Sequence, residues 1–182
     1  MRVISGTAGG LQLKSPKKHP LRPTQDRIRG VIFSSLAERV PGARVLDLYA
    51  GTGSFGIEAL SRGAESAVFE EQEPEAAQCI RDNLAHCKLA GGEVRVEDVL
   101  VFLRTAPQKK FDLIFADPPY LKSRGALDGD PLLELLPDFL ATDGLFVWEH
   151  YAGRRLENST RWEVIRHRNY GETGLSFIRL LA

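Results

Sequence analysis

An apolar run that breaks into closely spaced glycines limits the possible folds of this chain more than any other feature. Residues 44–50 read Arg-Val-Leu-Asp-Leu-Tyr-Ala, and the glycine turn Gly51-Thr-Gly-Ser-Phe-Gly56 follows directly. The helical spacing of Ile57 and Leu60 begins where the glycines end, so the pattern predicts a strand, a turn and a helix in that order. Glycine admits a positive φ and lets backbone N–H groups approach a ligand without a Cβ in the way. The segment therefore predicts the entry to a ligand-binding α/β sheet.

Strand and helix patterns alternate through the rest of the chain, which predicts an α/β, Rossmann-like sheet of seven mostly parallel strands. The last two apolar runs, 162–169 and 174–181, have only the turn at Tyr170-Gly171 between them, so the last strand should pair antiparallel. The other strands are predicted at about 44–48, 66–71, 93–97, 111–116 and 144–149. Helices are predicted near 54–62, 74–88, 98–104 and 131–140.

The start of the chain carries a different pattern. Residues 2–6 and 10–14 predict two short strands around a glycine turn, which would form a β-hairpin in front of the sheet. A linker follows, and Thr24 is placed to cap a helix that ends near Pro41-Gly42. We therefore divide the chain into a hairpin and linker, 1–23, and a main domain, 24–182.

The composition is that of a single folded domain: of the 182 residues, 43% are hydrophobic and 26% are charged. No apolar run approaches the ~20 residues of a membrane span, and the N-terminus lacks the apolar core of a signal peptide. We therefore expect a cytoplasmic protein with no membrane partner. The cysteines and histidines show no metal-ligand spacing, so we expect neither a disulfide nor a metal site, and we expect the histidines to be structural.

The sequence Asp117-Pro118-Pro119-Tyr120, directly after the apolar run 111–116, predicts a pocket for a flat ring that carries an amine. An acid can accept a hydrogen bond from an exocyclic amine, the Pro118 carbonyl can accept the second amine hydrogen, and Tyr120 can stack on the ring. A strand that ends at a proline turn explains the same residues without a ligand. The glycine turn upstream favours the pocket.

The glycine turn alone also matches a dinucleotide fingerprint, with Glu70 or Glu71 as the expected acid about 20 residues further on. Asp47 argues against a dinucleotide, because a pyrophosphate beside it would add a second negative charge. A cationic ligand such as S-adenosylmethionine would tolerate that acid. Size argues the same way, since one sheet leaves no room in this chain for a separate substrate domain.

Together these motifs resemble the class I S-adenosylmethionine-dependent methyltransferases, and within them the RsmD-type 16S rRNA guanine-N2 methyltransferases. The resemblance spans nearly the whole chain and is carried by residues 1–6, 21–29, 51–56, 117–120 and 170–177. It implies S-adenosyl-L-methionine as the cofactor and 16S rRNA of the small ribosomal subunit as the substrate. We expect the protein to be a monomer.

Residues that end the strands are expected to hold the cofactor, because ligands of an open sheet bind outside the carboxyl ends of its strands. The resemblance assigns Glu71 to the ribose hydroxyls, and Asp98 with the Val99 backbone to the adenine amine. A helix N-cap explains Asp98 equally well, and a solvated helix start explains the acids around Glu73. The expected cofactor-binding residues are Asp47, Ala50, Gly51, Gly53, Glu71, Asp98, Val99 and Asp117, and the expected catalytic residues are Asp117, Pro118 and Tyr120.

A net charge of zero conceals an uneven distribution of charge along the chain. Residues 1–30 carry a net charge of +6, residues 31–150 carry −9, and residues 151–182 carry +3. Basic ends on either side of a base pocket suit contacts with RNA phosphates, although a solvated basic tail gives the same count. The predicted hairpin is itself nearly uncharged. The RNA contacts are therefore expected at Lys14, Lys17, Lys18, Arg22, Arg27 and Arg29.

Three functions stay open at this point. The first is methylation of guanine N2 in 16S rRNA, and the second is adenine-N6 methylation of RNA or DNA, because Asp-Pro-Pro-Tyr serves that amine equally well. The third is a non-catalytic RNA-binding or assembly module. For the two enzymes, we expect that Asp117 and Pro118 supply most of the rate by positioning the amine, and that Asp117 takes the proton after transfer.

Overall fold

Seven strands form one sheet in a computed structural model of the chain. They are β1 Arg44–Leu48, β2 Ser66–Glu70, β3 Gly92–Arg95, β4 Phe111–Ala116, β5 Leu140–Tyr151, β6 Trp162–Tyr170 and β7 Thr173–Leu180. Their order across the sheet is β3-β2-β1-β4-β5-β7-β6. The structure describes residues 1–16, 23–119, 127, 129–154, 156 and 159–181, with residues 23–25 by their backbone alone. Two compact units divide the chain, Met1–Val99 and Leu100–Ala182.

The first unit combines three parallel strands with three helices. The helices are α1 Pro23–Leu36, α2 Ser54–Ser61 and α3 Pro74–His86. β1 pairs with β2 and β2 pairs with β3, all in parallel register. All but the first residue of β1 and of β2 are buried, which is why their sequences read as apolar runs instead of alternating.

The second unit contains the antiparallel part of the sheet. α4, Val99–Thr105, begins at the last residue of the first unit, and α5 spans Pro131–Leu135. β4 pairs with β5 in parallel, whereas β7 runs antiparallel to both β5 and β6. The predicted Rossmann-like sheet of seven mostly parallel strands with an antiparallel last strand is therefore confirmed.

A proline shortens the last helix relative to the predicted 131–140. α5 ends at Leu135, and a 3-10 turn over Leu136–Asp138 replaces its last turn. Pro137 has no N–H to donate to the carbonyl four residues earlier, which is that of Leu133, and its ring disfavours an α-helix there. The indole Nε1 of Trp162 donates to the Leu133 carbonyl at 3.0 Å. The bond that the helix cannot make is therefore replaced by a tertiary one.

The predicted N-terminal hairpin is present in a shorter form, with an antiparallel bridge between Arg2 and Gln12. The amides of Val3 and Leu13 donate across it to the carbonyls of Leu11 and Met1, both at 3.0 Å. Two strands were expected over residues 2–6 and 10–14, but the backbone of the first of them bonds to α2 instead. Ile4 N and Ser5 N donate to the carboxylate of Glu58 at 2.7 and 3.1 Å. Because those amides are used by a distant side chain, the strand ladder does not extend.

α1 begins at Pro23, one residue before the expected cap, so Thr24 lies in its first turn. Proline is favoured at the first helical position, where its missing N–H would have no partner inside the helix. Among the described residues, no helix combines the length and the apolar character that crossing a bilayer requires.

Candidate active site

The turn after β1 places two glycines in conformations that other residues rarely adopt. Gly51 has a φ of +56° and Gly53, which precedes α2, has a φ of +74°. A Cβ on Gly51 would have only the Tyr49 carbonyl oxygen nearby, at 3.9 Å, whereas one on Gly53 would lie 2.9 Å from Ile80 Cγ2. Gly51 therefore borders open space that a ligand can use, and Gly53 is required by packing as well as by its φ.

Asp47 and Gly56 fasten the start of α2 to the sheet. Asp47 is 1% exposed, and its Oδ2 accepts a hydrogen bond from Gly56 N at 2.9 Å. The carboxylate therefore accepts from an N–H of the first turn of α2 that has no partner within the helix, and its negative charge offsets the positive end of the helix dipole. A Cβ on Gly56 would overlap the Phe69 ring of β2, so this glycine allows close packing of helix on strand. The expected contact of Asp47 with a cofactor stays a prediction.

Glu71, directly after β2, holds the glycine turn in place. Its Oε2 accepts from Gly51 N at 2.7 Å, and its Oε1 accepts from Glu73 N at 2.9 Å. A carboxylate offers about four acceptor positions. The two backbone bonds therefore leave Glu71 with acceptor positions for two hydroxyl groups. Of the two candidate acids, Glu70 and Glu71, it is Glu71 whose side chain bonds to the glycine turn. Ala50, also expected at the cofactor, is buried and donates its N–H to the Glu70 carbonyl at 3.1 Å.

Glu70 is a different kind of acid from its neighbour. It is fully buried, and neither oxygen has a hydrogen-bond partner among the described residues. Burial raises the pKa of the Glu70 carboxyl to about 8, and the Arg95 guanidinium, 3.8 Å away, only partly opposes that rise. Glu70 is therefore mostly protonated at neutral pH.

Asn83 of α3 ties the glycine turn to the start of the chain, and the sequence interpretation did not include it. Its Nδ2 donates to the Thr52 carbonyl at 3.2 Å and to the Lys14 carbonyl at 3.0 Å, while its Oδ1 accepts from Lys14 N at 2.8 Å. The side chain is fully buried. A signal was present in the sequence, because Asn83 falls on the apolar face of the predicted helix, one residue before Leu84.

The expected RNA contact at Arg29 is wrong. Its side chain is 1% exposed and lies between two acids: Nη2 donates to Asp26 Oδ1 at 2.9 Å, and Nε lies 3.7 Å from Glu58 Oε2. Nη2 also donates to the Arg2 carbonyl. Glu58 is itself fully buried, and a buried carboxylate requires a cation beside it. This is why the Arg29 side chain is buried although the surrounding sequence is basic.

The other basic residues expected at RNA divide into two groups. Lys14 is exposed and lies 3.6 Å from the Asp82 carboxylate, and Arg27 is exposed as well. Both are therefore accessible to a phosphate. Lys17, Lys18 and Arg22 lie outside the described residues.

Asp98 and Val99 stand where the third strand leads into α4. Asp98 directly precedes the helix and is exposed, and Val99 is 3% exposed. This is the position of an N-cap, so the capping explanation fits the structure. A contact of either residue with an adenine stays a prediction.

Asp117 and Pro118 follow the last residue of β4, and both side chains are half-buried. β4 itself is an apolar run in which Phe111 and Phe115 are buried, so the strand fixes the position from which Asp117 extends. Tyr120 lies outside the described residues. The acid and the proline carbonyl thus lie at the carboxyl edge of the parallel strands of the second unit, where open sheets bind ligands.

Two histidines of the second unit join β5, β7 and β6. His150 Nδ1 lies 2.9 Å from the Tyr151 carbonyl and must donate to it, so its Nε2 accepts from the Ser176 hydroxyl at 2.8 Å. The Ser176 oxygen in turn accepts from His167 Nδ1 at 3.0 Å. Burial lowers the pKa of His150 to about 4, so the ring stays neutral in this chain of hydrogen bonds. The expectation that these histidines are structural is confirmed.

Comparison with known proteins shows the family. A family model described as "Conserved hypothetical protein 95" matches residues 1–179. "Ribosomal RNA small subunit methyltransferase D" of Escherichia coli (strain K12) is 32% identical over 179 residues, 94% of this chain and 86% of that protein. "Putative rRNA methyltransferase YlbH" of Bacillus subtilis is 35% identical over 185 residues, 98% of each chain. The solved structure "Putative methyltransferase yhhF from Escherichia coli" matches with a TM-score of 0.85 at 30% identity and covers 100% of this chain and 98% of that one.

The strand order, the glycine turn and these neighbours define the fold as that of a class I, Rossmann-like methyltransferase. The chain belongs to the Conserved hypothetical protein 95 family, the RsmD-type family that its sequence motifs indicated.

Proposed function

We propose that this protein transfers a methyl group from S-adenosyl-L-methionine to the exocyclic N2 of a guanine in 16S rRNA of the small ribosomal subunit. The observation that carries the proposal is the family match over residues 1–179, with relatives named for methylation of small-subunit rRNA. The position of Asp117 and Pro118 at the end of β4 supports an amine as the acceptor. Such a substrate also implies work in the cytoplasm, and we propose that the protein acts as a monomer.

The residues of the first unit fit the cofactor. The open space beside Gly51 can admit a ligand against the backbone, and the Glu71 carboxylate beside it can accept from the ribose hydroxyls. Asp98 and the Val99 backbone would contact the adenine amine. When bound, S-adenosylmethionine supplies an electrophilic methyl group on a sulfonium, and the acidic side chains of Asp47 and Glu71 favour its positive charge.

The acceptor amine is the more demanding part of the reaction. The lone pair of an exocyclic amine is delocalised into its ring, which makes the nitrogen a poor nucleophile. Asp117 and the Pro118 carbonyl would accept both amine hydrogens and so orient the lone pair, while Tyr120 would stack on the base, a contact that contributes ~1–3 kcal/mol. Asp117 would also take the proton that the amine loses. The target base must be unpaired before this geometry is possible.

The test is transfer of radiolabelled methyl to protein-free 16S rRNA and to isolated small-subunit particles, followed by nucleoside analysis. We expect N2-methylguanosine from the wild type and a loss of about a hundredfold or more in rate for Asp117→Ala, because the amine loses its main acceptor. Asp138→Ala, which changes an exposed acid of the same unit, is the matched control and should keep full activity.

Other products would contradict the proposal in different ways. N6-methyladenosine would favour the adenine alternative, since the Asp-Pro-Pro-Tyr sequence serves that amine equally well. Binding of the cofactor without any methylated product would mean that the acceptor is not rRNA. Full activity of Asp117→Ala would remove this carboxylate from the reaction.

A further inference from the structure

A second acid lies at the carboxyl edge of the second unit, beside the expected catalytic residue. Ala116, the last residue of β4, pairs with Trp148 of β5, so Asp117 stands at the level of Glu149. Residues at the same level of neighbouring parallel strands share a face of the sheet, and the strands lie about 4.8 Å apart. The two carboxylates can therefore reach adjacent groups of one ligand.

An acid is unexpected at this position of β5. Glu149 directly follows the apolar residues 145–148, and it is 5% exposed. Its neighbour on the other side of the strand is Leu175 of β7, a buried side chain that cannot accept or donate a hydrogen bond. Removing a carboxylate from water costs free energy that an apolar residue in the same place would not cost. Polar groups placed in this way at a ligand-binding edge are those that fix and select a ligand.

Guanine and adenine differ at the ring nitrogen beside their amines. In guanine, N1 carries a hydrogen next to the N2 amine, so both nitrogens are hydrogen-bond donors. In adenine, N1 lies next to the N6 amine but carries no hydrogen, and it is an acceptor. Asp117 and the Pro118 carbonyl bond to an amine, which both bases have. A carboxylate that faces N1 favours guanine, because adenine would place two acceptors against each other.

We propose that Glu149 accepts a hydrogen bond from guanine N1–H while Asp117 accepts from the N2 amine, and that Glu149 thereby selects guanine over adenine. The inference rests on the proposed function and names the group that determines its base. A carboxylate has about four acceptor positions, so contacts of Glu149 within the protein leave room for the base. Because Glu149 is withdrawn from water, solvent does not replace a hydrogen that the base lacks.

A structural carboxylate, bonded only within the protein, explains the same burial. The two explanations differ in their dependence on the base. A structural role affects folding and affects every acceptor base alike, whereas a contact with N1–H matters only for a base that carries this hydrogen.

The experiment replaces the target guanine with 2-aminopurine, which keeps the amine at the same ring position and has no hydrogen on N1. The methylated guanine is first mapped in the wild-type reaction, and rRNA is then prepared with either base at that position. We expect the wild-type kcat/KM to be about a hundredfold lower for 2-aminopurine, because Glu149 then faces an acceptor. This measurement uses the wild type alone, so it does not depend on the folding of a variant.

Glu149→Gln tests the residue itself. The glutamine amide can accept from N1–H through its oxygen or donate to a bare N1 through its nitrogen. We expect the kcat/KM for guanine to fall about tenfold, and the ratio between the two bases to narrow from about a hundredfold to less than about tenfold. 2-Aminopurine also lacks O6, but this difference is the same for both proteins, so it does not narrow the ratio. The affinity for S-adenosylhomocysteine should not change.

Asp143→Asn, the same kind of change at an exposed acid of β5, is the matched control and should keep the wild-type ratio. Equal kcat/KM values for the two bases in the wild type would overturn the proposal. So would an unchanged ratio in Glu149→Gln, or an equal narrowing in Asp143→Asn. Failure of the proposed function gives a different result, because the wild type would then form no N2-methylguanosine, and the inference would be overturned with it.

Discussion

At the scale of the residue, three buried polar side chains determine how the first unit is held together. Asn83, Glu58 and Arg29 are each at most 1% exposed, and each bonds to backbone that is distant in sequence. The sequence analysis assigned Arg29 to RNA because of its charge, and it gave no role to Asn83 or Glu58. Burial of a charge depends on a partner whose distance in space is not visible in the sequence.

Asn83 should act as a positioning residue for the cofactor. Asn83→Leu removes its bonds to the Thr52 and Lys14 backbone and leaves those groups buried without partners, which should lower the free energy of unfolding by about 3 kcal/mol. Because Thr52 lies between Gly51 and Gly53, we expect binding of S-adenosylhomocysteine to weaken about tenfold, or ~1.4 kcal/mol. Urea unfolding and titration calorimetry measure the two effects.

The control for this variant is Gln78→Leu, an exposed position on the same helix where the side chain bonds only to Asp82 among the contacts described. It should leave both quantities close to those of the wild type. A merely structural role for Asn83 would lower stability and leave the affinity for the cofactor product unchanged, which would contradict the prediction.

Glu70 should make stability depend on pH. Its folded-state pKa of about 8 lies above the ordinary value of 4.5, so the native state holds this proton more tightly than the unfolded chain does. The contribution of this proton to the free energy of unfolding is complete below pH 4.5 and is lost as the pH rises through 8. Glu70→Gln cannot titrate, so its free energy of unfolding should vary less over this range. Urea unfolding at a series of pH values tests this, and an unchanged pH slope would show that Glu70 ionises normally.

At the scale of the element, the bounds of a strand were predicted correctly where burial alone determines the pattern of apolar residues. β1 and β4 were predicted with the bounds that the structure shows, because parallel strands covered by other elements read as apolar runs that end in polar or glycine residues. The N-terminal hairpin is present but shorter than predicted, because the amides of Ile4 and Ser5 bond to Glu58, which lies 54 residues from Ile4. The last helix failed at Pro137, where the sequence did contain the signal.

The N-terminal segment should depend on Glu58 more than on its own turn. Glu58→Ala removes the acceptor of Ile4 N and Ser5 N, and it also removes a carboxylate that lies beside the buried Arg29 guanidinium. We therefore expect the free energy of unfolding to fall by about 3–5 kcal/mol. Amide exchange at Ile4 and Ser5 should accelerate. Glu65→Ala, at an exposed acid shortly after the same helix, should change neither quantity. Protected amides at both positions in Glu58→Ala would show that the bridge at Arg2 alone holds the segment.

At the scale of the whole molecule, the sequence was sufficient for the class and the family. The glycine turn, the Asp-Pro-Pro-Tyr sequence and the strand count led to the class I methyltransferases and to the RsmD-type family, and both are confirmed. The order of the strands and the β-bulge of β6 were not predicted. Both arise from pairing between segments that no local pattern relates.

The attachment of the first residues to Glu58 also bears on how the chain is made. Ser5 is synthesised 53 residues before its acceptor, and Lys14 is synthesised 69 residues before Asn83. At about 5–20 residues per second, each wait lasts roughly 3–14 seconds. Throughout that interval the nascent segment has no native partner, so its docking must follow the completion of the helices that receive it.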